Sequence, residues 1–209
     1  EGGKPLIVGL EIWRGEQKRI DAYLASAGGD ADRQRLLAGP FWQREYQDGR
    51  SSVAMAGLLE SLRVLALKSK LTVIAMDADP YAQLSEAGRD LAMAERIQSA
   101  LKAKPKARAL ILAGNFHTRI QGSAPWDPDY KFMGYHLLEL HPYALEIMGV
   151  SGSAWICTGG AESDCKAREL QESGKPPGLE LGDVLNDRSH HGIWWIAGST
   201  ASMPAKDSH

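Results

Sequence analysis

Pro5-Leu6-Ile7-Val8-Gly9-Leu10-Glu11-Ile12, Leu71-Thr72-Val73-Ile74-Ala75-Met76 and Arg108-Ala109-Leu110-Ile111-Leu112-Ala113-Gly114 are three short apolar runs bounded by turn residues. Runs of this kind, alternating with helical patterns, read as buried parallel strands. Helices fit the intervals between them. One is expected from about Glu16 to Ala25 with Ile20, Tyr23 and Leu24 on one face, and a short one follows the Gly28-Gly29-Asp30 break with Leu36 and Leu37 inward. A third runs from Val53 to Leu67 behind the Asp48-Gly49-Arg50-Ser51-Ser52 turn, and a fourth from a Ser85 cap to about Lys102. The fold class is therefore α/β: a mixed, mainly parallel sheet flanked by helices.

Beyond the third run the pattern thins. Gln121–Tyr130 is irregular and Met133–Leu140 is a short helix candidate. Ala144–Met148, Ala154–Cys157 and Gly192–Ala197 are strand candidates, and Gly159–Gly178 reads as an exposed loop. Trp194-Trp195 puts one ring on each face of the last strand.

Composition narrows the function classes. The 209 residues suit one α/β domain, with 44% apolar and 24% charged residues. A formal net charge of -2 provides no basic field for nucleic acid. No apolar stretch approaches the ~20 residues of a membrane helix. The opening Glu1-Gly2-Gly3-Lys4-Pro5 is a turn without Met or a signal core, which leads us to expect a truncated or processed chain.

Ligands of open α/β sheets bind beyond the carboxyl ends of the strands. Glu11 stands at such an end in an otherwise apolar strand, and a buried carboxylate needs a partner or a task. It reads as a general base or metal ligand, or as the ion-pair partner of Arg14 or Arg89. His117, just past Gly114-Asn115-Phe116, can act as base, shuttle or metal ligand, or be a loop histidine bound to nearby backbone. Arg89 and Asp90 open the fourth helix, where a cation opposing the helix dipole suits an anionic partner. Arg50 at a helix start is an anion-site candidate, although capping alone explains its turn. His136, His141, His190 and His191 lack ligand spacing and read as surface histidines. Cys157 and Cys165 bracket a short loop: they can bridge in an oxidising compartment or remain separate thiols.

Leu10-Glu11-Ile12 after a strand, the Arg89-Asp90-x-x-Met93-Ala94 helix and Gly114-Asn115-x-His117 together resemble the erythromycin-esterase / ChaN / Tiki superfamily. The tail from Gly192 to Ala205 resembles its bacterial ChaN-like branch. The resemblance implies a mixed α/β core with antiparallel C-terminal strands and a pocket at the strand ends. It implies Glu11 and His117 as acid/base pair or metal ligands, and Arg89 as a charged wall. Arg50, Asp90, Asn115, Tyr130 and Tyr135 are then the ligand-facing positions.

The function expected is a hydrolase acting on an ester or peptide bond, possible help from a divalent metal included. The alternative is a non-enzymatic haem- or small-ligand-binding protein, with Tyr130, Tyr135, His136 and Met133 as candidate axial ligands. Exported relatives imply a Cys157–Cys165 disulfide and a periplasmic or secreted home. The family's Gly-Glu-x-His strand has no match upstream of Glu11. We therefore expect a further strand and helix before residue 1, pairing with a strand that otherwise lacks a neighbour on one side.

Overall fold

The computed structural model describes residues 3–124 and 126–207. Glu1, Gly2, Pro125, Ser208 and His209 lie outside the described residues, and with them the first two positions of the opening turn and the limits of the expected 1–209 domain. The chain runs β1 (Leu6–Trp13), α1 (Gln17–Leu24), α2 (Asp30–Leu37), α3 (Pro40–Gln43), α4 (Val53–Ala66), β2 (Leu71–Asp77), α5 (Glu86–Ala103) and β3 (Arg108–Leu112). It continues with α6 (Met133–His136), β4 (Glu146–Gly149), β5 (Ser153–Cys157), β6 (Cys165–Glu169), β7 (Gly178–Leu181) and β8 (Gly192–Ile196). Ser52 caps α4 by accepting from Met55 N at 3.3 Å, and Ser85 caps α5 by accepting from Gly88 N at 3.1 Å.

The main sheet has the order β2-β1-β3, all parallel, with Leu6 opposite both Leu71 and Arg108. This corrects one expectation: β1 is the middle strand and has partners on both sides. Its alternation feeds two apolar layers. Val8, Leu10 and Ile12 pack on Ile20, Tyr23, Leu59 and the buried Phe41 and Trp42. Ile7, Ile74 and Met76 pack on Met93, Ile97 and Met133. Gly9 belongs to this second side, where a Cβ would stand 2.7 Å from Ile111 Cδ1. Fully buried aliphatic side chains each contribute roughly 1.5–3 kcal/mol, so these layers make a stiff base for the strand ends.

The C-terminal third is thinner. β4 pairs with β8 in parallel, β7 pairs with β8 antiparallel, and β5 and β6 form an antiparallel pair. β6 corrects the expected loop, since Cys165–Glu169 pairs with Ser153–Cys157. Cys157 and Cys165 are disulfide-bonded across that pair. Trp155 donates to the Gln47 carbonyl at 2.8 Å and ties the hairpin to the turn before α4. Trp195 is buried while Trp194 is half exposed. The helix expected over Met133–Leu140 is one α-turn followed by a 3-10 turn at Leu138–Leu140. Among the described residues no helix is long and apolar enough to cross a membrane.

Candidate active site

The parallel register carries two carboxylates to adjacent strand ends: Glu11 near the end of β1 and Asp77 as the last residue of β2. They are 6% and 1% exposed, so each must be compensated. Two arginines do this. Glu11 Oε1 accepts from Arg50 Nη1 and Arg89 Nη2, both at 2.8 Å, and its Oε2 accepts from Gly114 N at 2.7 Å. Asp77 Oδ1 accepts from Arg89 Nε at 2.6 Å, and its Oδ2 from Arg50 Nη1 and Arg89 Nη2 at 2.9 Å. Planar guanidinium forks suit such shared carboxylates.

Arg50 also grips Asp48, through Nε at 2.9 Å and Nη2 at 2.5 Å. Burial pushes the Asp48 carboxyl up, but Arg50 and Arg44 outweigh it and leave it below the usual range. Burial pulls the Arg89 guanidinium down, and Asp77 and Glu11 more than reverse this, so it is held more firmly protonated than usual. Arg50 is raised in the same way by Asp48, Glu11 and Asp77 against its burial. Arg44 pairs with Asp48 and lies over the Phe41 ring at 4.5 Å; burial leaves its pKa lowered.

His117 joins this cluster from the loop after β3. Its Nδ1 is 2.8 Å from Asp90 Oδ1, its Nε2 is 3.1 Å from Arg89 Nη1 and 3.6 Å from Glu11 Oε1. A guanidinium only donates, so Nε2 is the unprotonated nitrogen and Nδ1–H donates to Asp90. Asp90, fully buried in α5, also accepts from Tyr130 OH at 2.6 Å and Met133 N at 2.8 Å. Burial first and Asp90 second push the Tyr130 hydroxyl well above its ordinary value, so it remains a donor. Gly134 lets α6 come this close: a Cβ there would stand 2.6 Å from the Thr118 and Arg119 carbonyl oxygens.

Of the expected site residues, Glu11, Arg50, Arg89, Asp90, His117 and Tyr130 come together. Asn115 turns away and donates to Glu146 at 2.7 Å. Tyr135 lies apart under Lys131, whose Nζ is 4.8 Å from its ring centre. Arg14, offered as a partner for Glu11, is replaced in that role by Arg50 and Arg89. Asp77 and Asp48 join without having been singled out, Asp77 having been read as the start of a loop. The visible signal was an acid closing an apolar run, as Glu11 closes the first.

A second polar group lies on the other side of the same loop. His190, expected at the surface, is buried. Its Nε2 meets Thr118 Oγ1 at 3.0 Å and its Nδ1 meets Ser189 Oγ at 2.9 Å. Thr118 Oγ1 already donates to Asn115 O at 3.1 Å, so Nε2 carries the proton. Burial lowers the His190 pKa and raises that of Glu146.

Among the described residues, no group of three or more His, Cys, Asp or Glu side chains is arranged to hold a metal. The donor set itself argues against Glu11 and His117 as metal ligands. Both Glu11 oxygens take protein donors, and a guanidinium stands at His117 Nε2. Of the axial-ligand candidates for haem, the Tyr130 hydroxyl is committed to Asp90 and Met133 is sealed in the α5 layer, while the His136 ring meets Tyr135 edge-on.

No protein-family model matches the chain, and no curated protein matches it in sequence. Among solved structures it is similar to a mutant of the erythromycin esterase EreC in its open conformation. The likeness has a TM-score of 0.63 at 10% identity and covers 96% of this chain and 84% of that one. At such low identity it shows the fold: a mixed α/β, erythromycin-esterase-like architecture.

Proposed function

We propose that this chain is a hydrolase that cleaves an ester, or the amide bond of a peptide, at the group around His117. The observation that carries the reading is the fixed tautomer: Asp90 holds Nδ1–H, and the Nε2 lone pair faces the Glu11–Arg89 cluster at the strand ends. The erythromycin esterase-like fold supports the same class by analogy only.

In this scheme His117 Nε2 takes a proton from water while the hydroxide adds to the substrate carbonyl carbon. Arg89 Nη1 is the terminal nitrogen of that arginine that bonds neither Glu11 nor Asp77, and it donates to the carbonyl oxygen as negative charge develops there. The imidazolium then returns its proton to the leaving alkoxide or amine as the scissile bond breaks. Five carboxylates (Glu11, Asp48, Asp77, Asp90 and, 3.8 Å from Arg89, the exposed Glu86) face three guanidiniums (Arg44, Arg50, Arg89), so the surroundings of His117 carry surplus negative charge. Glu11 and Asp77 hold the two arginines in place, and Asp90 orients the base. We place the protein outside the cytoplasm, periplasmic or secreted, on the Cys157–Cys165 bridge.

The test is initial-rate hydrolysis of a series of nitrophenyl and macrolactone esters and of labelled peptides, with His117→Ala beside the parent. The expected result is cleavage of at least one class, lost in His117→Ala and partly restored by added imidazole. Cleavage of none, or cleavage that survives the substitution in a folded protein, overturns the reading.

A further inference from the structure

The two edges of the parallel sheet are finished differently. On the β2 edge the Gln17 side chain acts as a substitute strand: its Nε2 donates to Val73 O and its Oε1 accepts from Ala75 N, both at 2.9 Å. On the β3 edge nothing does this. Arg108 N donates to Pro5 O at 2.9 Å, which turns Arg108, Leu110 and Leu112 toward β1 and the backbone groups of Ala109 and Ile111 outward. Among the described residues no group bonds those outward N–H and C=O groups. Edge strands of this kind are usually blunted by a charge, a proline or a cover. Ala109 to Leu112 has neither charge nor proline, and Leu110 is 62% exposed.

A groove of about 760 Å³ runs along this edge, walled by Ile97, Leu101, Ile111, Leu137, Tyr143 and Leu145. Leu110, which also borders the groove, and Leu112 alternate with Ala109 and Ile111 along the edge and are exposed. Among the described residues the only full charges lining the groove are Lys102 and Arg108, at the end where β3 begins, and no carboxylate lines it. Neither cation makes an ion pair among the described residues.

We propose that the β3 edge docks an extended peptide segment that adds as a further strand. Its side chains are apolar on both faces, and it carries carboxylates at the end over Lys102 and Arg108. Strand addition satisfies the Ala109 and Ile111 groups and fills apolar space on both sides. An alkyl chain in the same groove would cover those groups without satisfying them. A second copy of the chain would bring the same edge, which has no carboxylate to meet the cations. The inference does not rest on the hydrolase reading, because the cations lie at the end of β3 opposite the His117 cluster.

The experiment uses the full chain and three labelled synthetic peptides, followed by fluorescence anisotropy. Each has five alternating Val and Ile residues, flanked by two Glu, by two Lys, or by two Glu with alternate amides N-methylated. The Glu peptide should bind saturably, and the Lys peptide about tenfold more weakly. The N-methylated peptide should not bind, since it cannot make the ladder. Lys102→Glu with Arg108→Glu, both exposed and outside the core, should reverse the Glu/Lys preference. Equal binding of all three peptides, no binding of any, or concentration-dependent dimerisation that blocks the Glu peptide overturns the proposal.

Discussion

His117 and His190 stand on opposite sides of one loop, and their surroundings give them opposite characters. His117 has the Asp90 carboxylate 2.8 Å from Nδ1 and its Nε2 lone pair directed at the Arg89 guanidinium. His190 is bound by two hydroxyls, with Glu146 no closer than 4.0 Å. Burial drives both His190 and Glu146 toward their neutral forms. Protonation of His190 therefore costs stability, with no carboxylate in contact to offset it. A buried histidine takes its character from its partners: a carboxylate and a guanidinium at His117, two hydroxyls at His190.

The sharpest way to break this contrast is to exchange roles. His117→Gln should lower ester or peptide hydrolysis by about 10³–10⁴-fold with the fold retained, whereas His190→Gln should leave it nearly unchanged. Comparable losses from both, in kcat/KM with circular dichroism as control, would remove the distinction. Asp90→Asn comes next. Met133 N also donates to the oxygen that faces His117 Nδ1, so the amide oxygen keeps that place and the NH₂ turns to Tyr130; the tautomer is retained but the negative charge beside the imidazole is lost, and kcat should fall about 10–10²-fold. If kcat is unaffected, the Asp90 charge does not assist the base.

Smaller effects are expected from the hairpin disulfide and from His190. Replacing Cys157 and Cys165 by Ser should cost about 2 kcal/mol of unfolding free energy by loop-entropy arguments. Hydrolysis should stay within about threefold, since the cross-link touches Gln47, beside the Asp48–Arg50 turn, and not His117 itself; a collapse of activity in denaturant-free buffer would show that the hairpin holds Arg50 in place. The least change is expected in pH dependence. The folded pKa of His190 lies below its ordinary 6.5. The stability allowed by the neutral ring is therefore present above that value and lost as pH falls through the folded pKa. His190→Gln should flatten the fall in melting temperature between about pH 7.5 and about pH 5. A fall as steep as the parent's would show that His190 titrates without burial cost.

The place of the site was legible because parallel strands announce themselves as apolar runs, and the polar residue ending each run is conspicuous. That is why Glu11 and His117 stood out, whereas Arg89 stood out as a cation at a helix start. Asp77 obeys the same rule and was passed over, since Asp77-Ala78-Asp79-Pro80 reads as turn chemistry. Arg50 sat in a turn that capping already explained, and in the structure Ser52 does cap α4 while Arg50 bridges Glu11, Asp77 and Asp48. The polar Gly159–Gly178 stretch hid β6, because Lys166, Arg168 and Glu169 lie in a strand with little apolar face to bury.

The chain's own pattern determined the three core strands, the helices between them, their caps and the end of the sheet at which chemistry gathers. These follow from local periodicity and from the requirement that a fully apolar strand be covered on both faces. Tertiary structure alone decided that β1 lies between β2 and β3, that Arg50 and Arg89 share two carboxylates, and that His190 is buried while the β3 edge has no strand partner among the described residues. Those outcomes depend on register and packing between segments dozens of residues apart, such as Leu6 opposite Leu71 and Arg108. Side-chain partnership is a property of that register, and no local stretch of sequence carries it.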